Sequence, residues 1–420
     1  MPTALAENQL SRRGALKFGA LVGAYLVGRG AADLFWPLSE AEKVKIVLPV
    51  ALPPKNLIGF GANAFGISKL EGENLVSALQ TIVNLELMAV REMLGGEVER
   101  FKDEFNEEPI HQVIKCAYIL SKLSPPVHLE LDLIDFFRTF WDKNYGQANP
   151  LSKPPIDIST GQRREPDYCE KESNKPTYNY HDFLDKNKGD AENWSDFLTN
   201  SKAIEAIKRR LRFVLTTPYP GSNLSIANHP NITLLSFNEP PAVAEVINWS
   251  RMMINFIHEY TDKPVTVGLS SVSPIFWQLG TEVENLSVNS VHIYPFIDAA
   301  EFSGRARGSE RSVIVQETGM AQEYTESELG LLKGSGLMEA KTKAQQDIEL
   351  ATYYTGLFNL LVPNNANYYY PSTLGLRMWR LGYPKDCNYD HFGFTPSLFP
   401  RTAEVLLRIS RFYQQVRQLV

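Results

Sequence analysis

LLSFNEPP, residues 234–241, decides how the rest of the chain is read. A mostly apolar run goes straight into Asn238-Glu239-Pro240. Such a run, stopped by a proline, reads as a strand buried on both faces. A carboxylate at the end of that strand has no packing reason to be there.

Working outward, the neighbours alternate. Upstream, Ile204, Ile207, Leu211, Val214 and Leu215 mark one face of a helix, with Lys208, Arg209 and Arg212 on the other. Downstream, Val246, Trp249, Met253, Phe256 and Ile257 mark another. Further strands are expected at KNLIGFGANAF (55–65), LMAVREML (87–94), PVHLELDLIDFF (126–137), PVTVGL (264–269), SVNSVHIYP (287–295), RSVIVQE (311–317) and LGLRMW (374–379). Helices are expected near 108–121, around 340–360, and where Leu75, Leu79, Ile82 and Val83 share a face. The total is about eight strand–helix units, which implies a mainly parallel sheet. The expected fold is a closed α/β (β/α)8 TIM barrel, with an open doubly wound sheet as the competing arrangement. Residues 142–195 form a long insertion after the third strand, rich in Pro, Asn, Lys, Asp and Tyr. In a barrel it would overhang the C-terminal face.

Composition narrows the function classes. The chain has 420 residues, 44% hydrophobic and 21% charged, with a net charge of −6 and no basic block. That argues against nucleic acid or an anionic membrane surface as the main partner. Three cysteines, Cys116, Cys169 and Cys387, show no CxxC spacing. Seven histidines form no HxH or HExxH pattern, so no metal site is expected. Residues 11–28, SRRGALKFGALVGAYLVG, join Arg12-Arg13 to an apolar stretch and resemble a twin-arginine export signal, with Ala15 in place of Phe. The expected division is a signal or anchor over 1–36 and a single catalytic domain over 37–420. The expected destination is periplasmic or extracellular, membrane-anchored if the signal is uncleaved.

In a barrel, catalytic groups sit at the C-terminal ends of strands. Those ends carry Asn63, Arg91, Asn238-Glu239, His292 with Tyr294, Glu317 and Trp379. Glu239 and Glu317 each close an apolar run. Cleaving a glycosidic bond needs two carboxyl groups facing each other across the sugar, one giving a proton and the other attacking or activating water.

At this point the sequence resembles clan A glycoside hydrolases, above all family 5, the cellulase and mannanase group. Arg91 in AVREM, Asn238-Glu239-Pro240, His292-x-Tyr294-Pro295, Gln316-Glu317-Thr318-Gly319 and Trp379 follow that family's motifs in order. The resemblance covers about residues 55–410. Helix 201–215 and the Pro-Gly segment before the Asn-Glu-Pro strand resemble the endo-mannanase branch, as does WDKNYGQ (141–147), with one glycine where that branch has two. It implies a retaining hydrolase of a β-linked polysaccharide, mannan ahead of glucan, with no cofactor. It implies Glu239 as acid/base and Glu317 as nucleophile. Asn63, Arg91, Asn238, His292, Tyr294 and Trp379 would bind substrate or steady the carboxylates. The loop NANYYYPST (365–373) is expected to add subsites.

Each residue also has a structural reading: Glu317 as a helix cap, Arg91 as an interior ion pair, His292 and Trp379 as core. Two other functions compete. A barrel that binds carbohydrate without turnover would leave both glutamates unexplained. Gly59-Phe60-Gly61-Ala62-Asn63-Ala64 fits the dinucleotide fingerprint of an NAD(P)-dependent oxidoreductase. That motif needs a helix starting inside the loop, whereas the amphipathic pattern here starts only near Asn74.

Overall fold

The structure is a computed structural model that describes residues 45–420, apart from 95–97, 102–103, 137–190, 271, 294–298, 319–342, 366–367, 379–395 and 398. The leader, WDKNYGQ and most of the 142–195 insertion therefore lie outside the described residues, as do Tyr294 and Trp379.

Eight parallel strands close into a barrel. They are β1 (Gly59–Asn63), β2 (Ala89–Met93), β3 (His128–Asp135), β4 (Ile232–Asn238), β5 (Val265–Leu269), β6 (Asn289–Ile293), β7 (Val313–Thr318) and β8 (Gly375–Met378). Each strand pairs with the next, and β8 closes on β1 with Gly375 opposite Gly59. The closed barrel is the expected fold; the open sheet is not what forms. The main helices are α1 (Gly72–Asn84), α2 (Glu108–Ser121), α3 (Ser201–Thr216), α4 (Glu245–His258), α5 (Pro274–Glu282), α6 (Ala299–Arg307), α7 (Lys343–Leu361) and α8 (Pro400–Leu419).

Local chemistry starts these helices where the sequence changes character. The Asn200 side chain accepts from the Lys202 and Ala203 amides at the head of α3. Ser273 accepts from the Phe276 amide, and Pro274 opens α5. In α1, Ala78 and Ile82 are buried with Leu75 and Leu79 packed beside them. Val83, expected on that face, is 41% exposed, because one residue turns a helix by about 100°.

Strand alternation sends two residue sets to two places. Phe60, Val90, Leu131, Phe237, Val267 and Val315 point outward into the shell beneath the helices. The inward set is layered. Leu57, Leu234, Val288 and Ile314 form a separate apolar plug at the bottom. Above it the buried Arg377 guanidinium grips Glu130 with both arms, at 2.9 and 2.5 Å, and donates to the Gly59 carbonyl at 2.6 Å. Gly61 makes room for it: a Cβ there would lie 2.4 Å from the Ala89 carbonyl oxygen and 2.7 Å from Arg377 Cδ. Gly59 and Gly61 thus serve close strand and side-chain approach within β1. The dinucleotide reading fails here, since the next α-helix begins only at Gly72.

A second expectation is also corrected. Asn364–Asn365 and Tyr368–Tyr369 form a hairpin that pairs with Lys45–Ile46. It lies between the end of α7 and the start of β8, at the N-terminal end of the strands. The described residues of NANYYYPST are therefore on the face opposite the strand ends that carry Glu239 and Glu317. Among the described residues no helix is long and apolar enough to cross a membrane.

Arg377→Leu would strand the buried Glu130 charge, and is expected to lower unfolding free energy in urea by about 3–5 kcal/mol. The double variant Glu130→Leu/Arg377→Leu should recover most of that loss; no recovery would mean that packing, and not charge, holds this layer.

Candidate active site

At the C-terminal mouth, the inward residues of five strands converge on one guanidinium. Arg91 is fully buried on β2. Its Nη1 donates to Glu317 Oε1 at 2.6 Å and to Asn63 Oδ1 at 3.0 Å. Its Nη2 donates to Asn238 Oδ1 at 2.6 Å and lies 2.7 Å from Asp132 Oδ2. The Phe65 ring sits 5.6 Å from the guanidinium carbon. Burial disfavours the charge, but the Asp132 and Glu317 carboxylates outweigh it and raise the arginine's proton affinity.

The two glutamates reach the mouth by breaking strand alternation. Asn238 turns inward to Arg91, so Glu239 would face outward in a regular strand. Glu239 instead takes φ +48°, a left-handed conformation unusual for a side chain with a Cβ. Its amide still donates to the Gly268 carbonyl at 2.8 Å, while its carboxylate reaches His292 Nδ1 at 2.7 Å. On β7 the register shifts between Val315 and Glu317 against β6. Such a bulge re-aims a side chain. Gln316 and Glu317 consequently both face inward, Gln316 accepting from the Ser290 hydroxyl at 2.6 Å and Glu317 meeting Arg91.

His292, fully buried on β6, joins the carboxylates. Its Nδ1 is 2.7 Å from Glu239 Oε1 and 3.3 Å from Glu317 Oε2. Burial pushes its pKa down to about 4; Glu317 and Asp132 pull it up and Arg91 pushes it down. The imidazole is neutral in this site above that pH. Gly268 gives the ring space, since a Cβ there would be 3.3 Å from Nε2.

One ligand atom from each of Glu239, His292 and Glu317 lies within 4.8 Å of the others. By residue type this trio could hold a divalent cation. The fixed charge of Arg91, 2.6 Å from Glu317, opposes a second cation there.

Of the expected site residues, Asn63, Arg91, Asn238, Glu239, His292 and Glu317 come together. Asn63 is fully buried, donating to the Gln316 and Met378 carbonyls at 3.1 Å each while accepting from Arg91. Three carboxylates were not anticipated. Asp132 backs Arg91, with the Ser236 hydroxyl donating to its other oxygen. Asp135, half-buried at the end of β3, accepts from Asn238 Nδ2 at 2.8 Å. Glu92 accepts from the Gly66, Ser68 and Met93 amides and pins the loop after β1.

No family model and no curated protein matches the sequence. Solved structures do match in fold. A glycoside hydrolase family 5 mannosidase from Rhizomucor miehei superposes with a TM-score of 0.56 at 14% identity, covering 91% of this chain and 100% of that one. An endo-1,4-beta-mannanase from Rhizomucor miehei gives 0.54 at 14% identity, covering 89% and 99%. The endo-beta-1,4-mannanase from Thermotoga petrophila gives 0.52 at 12% identity, covering 85% and 77%. The chain shares the TIM barrel of these proteins.

A neutral buried histidine predicts a pH dependence. The folded state holds His292 at about 4 and the unfolded chain at 6.5. Its contribution to stability is complete above pH 6.5 and fades as pH falls toward 4, by roughly 3 kcal/mol in all. Subtracting the denaturation profile of His292→Gln from that of wild type should expose this slope. Parallel profiles would mean that the imidazole titrates in the folded protein as it does in the unfolded chain.

Proposed function

We propose that the chain is a retaining glycoside hydrolase of a β-linked polysaccharide. One observation carries the reading: carboxylate oxygens of Glu239 and Glu317 lie within 4.8 Å of each other at the mouth of the barrel. Retaining enzymes hold their two carboxyl groups about 5–5.5 Å apart, whereas inverting ones leave room for a water at roughly 6.5–9.5 Å.

The roles follow from surroundings. Glu317 is pressed against a fixed cation, which favours the ionised nucleophile. Its oxygen forms the bond to the anomeric carbon as the glycosidic bond breaks. The departing oxygen takes a proton from Glu239, whose carboxyl meets the neutral His292 imidazole at 2.7 Å. Glu239 then removes a proton from water, which cleaves the glycosyl ester and frees Glu317. Asn238 spends one amide hydrogen on Asp135, leaving the second to meet a sugar 2-hydroxyl, a contact that strengthens in the transition state. Arg91 and Asn63 are positioning residues, since both are fully buried. Tyr294 and Trp379, just past β6 and β8, are assigned to the nucleophile and to a pyranose face.

Mannan is the first substrate proposed and glucan the second, with endo cleavage and transfer to a second sugar as a variant of the same intermediate. The names of the structural neighbours, mannanases and mannosidases, support that order. The Arg12-Arg13 leader supports export before this chemistry.

Purified protein lacking residues 1–36 should release reducing ends from mannan or glucan. Glu239→Ala should lose roughly 100- to 10,000-fold in rate and regain turnover with azide as a β-glycosyl azide. Glu317→Ala should be inactive. Activity indifferent to both substitutions would place the chemistry elsewhere. Fused to a reporter, residues 1–36 should direct export that stops when Arg12 and Arg13 become Lys.

A further inference from the structure

Glu317 attacks as an anion, and its only fixed counter-charge on the described strands is Arg91. That arginine is shared. Asp132 lies on the other arm of the guanidinium, 2.7 Å from Nη2, and is fully buried halfway up β3. A guanidinium carries one charge, and two carboxylates divide it.

We propose that Asp132 is a positioning residue that tunes the nucleophile by taking part of Arg91's charge away from Glu317; the inference rests on the glycosidase reading. Two consequences follow. Before attack, Glu317 is held less tightly than a lone Arg–Glu pair would hold it, so its lone pair stays available. During attack, the Glu317 charge is consumed as its oxygen becomes an ester, and the bond's electrons leave with the oxygen protonated by Glu239. Arg91 would then be a buried cation without a partner, a state costing several kcal/mol. Asp132 remains in place as its counter-ion through the glycosyl-enzyme.

Asp132 must therefore be ionised. Burial pushes its carboxyl above the ordinary aspartate range, against the pull of Arg91, the Ser236 hydroxyl and His292. The always-charged guanidinium at 2.7 Å keeps it an anion near neutral pH. Among the described residues, the other titratable groups of this cluster are Asp135 on β3, which meets Asn238, Glu239 after β4, and His292 on β6, 3.3 Å from Glu317. Arg377 of β8 is committed to Glu130 one layer below.

The test is the pH profile of kcat/KM with 2,4-dinitrophenyl β-mannobioside, comparing wild type with Asp132→Asn, which keeps the side chain's shape and removes its charge. With all of Arg91's charge on Glu317, the acid limb should move down by about 1 pH unit, and the plateau should fall roughly tenfold. A lower plateau with an unmoved limb would reduce Asp132 to a structural support and overturn the proposal. Carbon-13 NMR of aspartate carboxyls in the wild type gives a second reading if the variant does not fold. Asp132 should be ionised at pH 6 and should titrate lower once Glu317 is esterified by a 2-fluoro glycoside; a protonated Asp132 at pH 6 overturns the proposal. Wild type with no turnover of this substrate or of its β-cellobioside counterpart would sink the glycosidase reading and this inference with it. An active wild type with an unmoved limb sinks the inference alone.

Discussion

One buried cation organises the mouth of this barrel. Arg91 meets Asn63 of β1, Asp132 of β3, Asn238 of β4 and Glu317 of β7. Removing a guanidinium from water is costly unless nearly every donor finds an acceptor. The planar fork suits that demand, because its arms point at fixed angles to separate partners. Four strands are thereby locked to a fifth at the level where Glu317 sits. Below this layer Arg377 and Glu130 form a closed pair, and below that the interior turns apolar with Leu57, Leu234, Val288 and Ile314. Polarity rises from the bottom of the barrel to the top, so the floor of the site is charged, dry and rigid.

Rigidity matters because the two glutamates stand where a regular strand would not put them. Glu239 needs the left-handed backbone at φ +48°, which costs about 1–2 kcal/mol for a residue with a Cβ. Glu317 needs the register shift of β7. Both devices let two consecutive residues face inward, Asn238 with Glu239 and Gln316 with Glu317. In each pair the first residue is tied to the barrel, Asn238 to Arg91 and Gln316 to Ser290, and the glutamate follows it at the mouth. Strain of this kind persists only where the surroundings over-determine it, and here the Gly268 carbonyl, His292 and Arg91 do so.

These devices mark the boundary of what the sequence could reveal. Strands and helices were legible because their apolar runs and faces are long, and the order of strand ends was enough to gather Asn238, Glu239, His292 and Glu317. Asp132, Glu130 and Arg377 were overlooked although a signal existed. In HLELDLID the charges at 130 and 132 share one strand face, and in GLRM the arginine at 377 sits between apolar neighbours. A strand buried on both faces can carry such charges only if one face looks into a polar barrel, so the pattern becomes readable once closure is assumed. Asn63 was set among the substrate-binding residues by its strand end, whereas its side chain is spent on Arg91 and on the Gln316 and Met378 carbonyls. NANYYYPST was misjudged on composition, when its place between a helix and the last strand already put it at the opposite face. The bulge and the φ of Glu239 have no local sequence cue, since both are imposed by the neighbours.

The neutral state of His292 completes the logic of the site. A charged imidazole beside Glu239 would hold that carboxyl as an anion and spoil it as an acid. Burial holds the ring neutral above about pH 4, so the ring offers either a hydrogen or a lone pair at Nδ1 but never two hydrogens. Under the proposed roles, protonated Glu239 donates to a bare Nδ1 before the first step. A lysine or arginine at position 292 would bring a fixed charge and hold Glu239 as an anion, and an alanine would remove the 2.7 Å contact, which is a physical reason for the residue type at this strand end to be histidine.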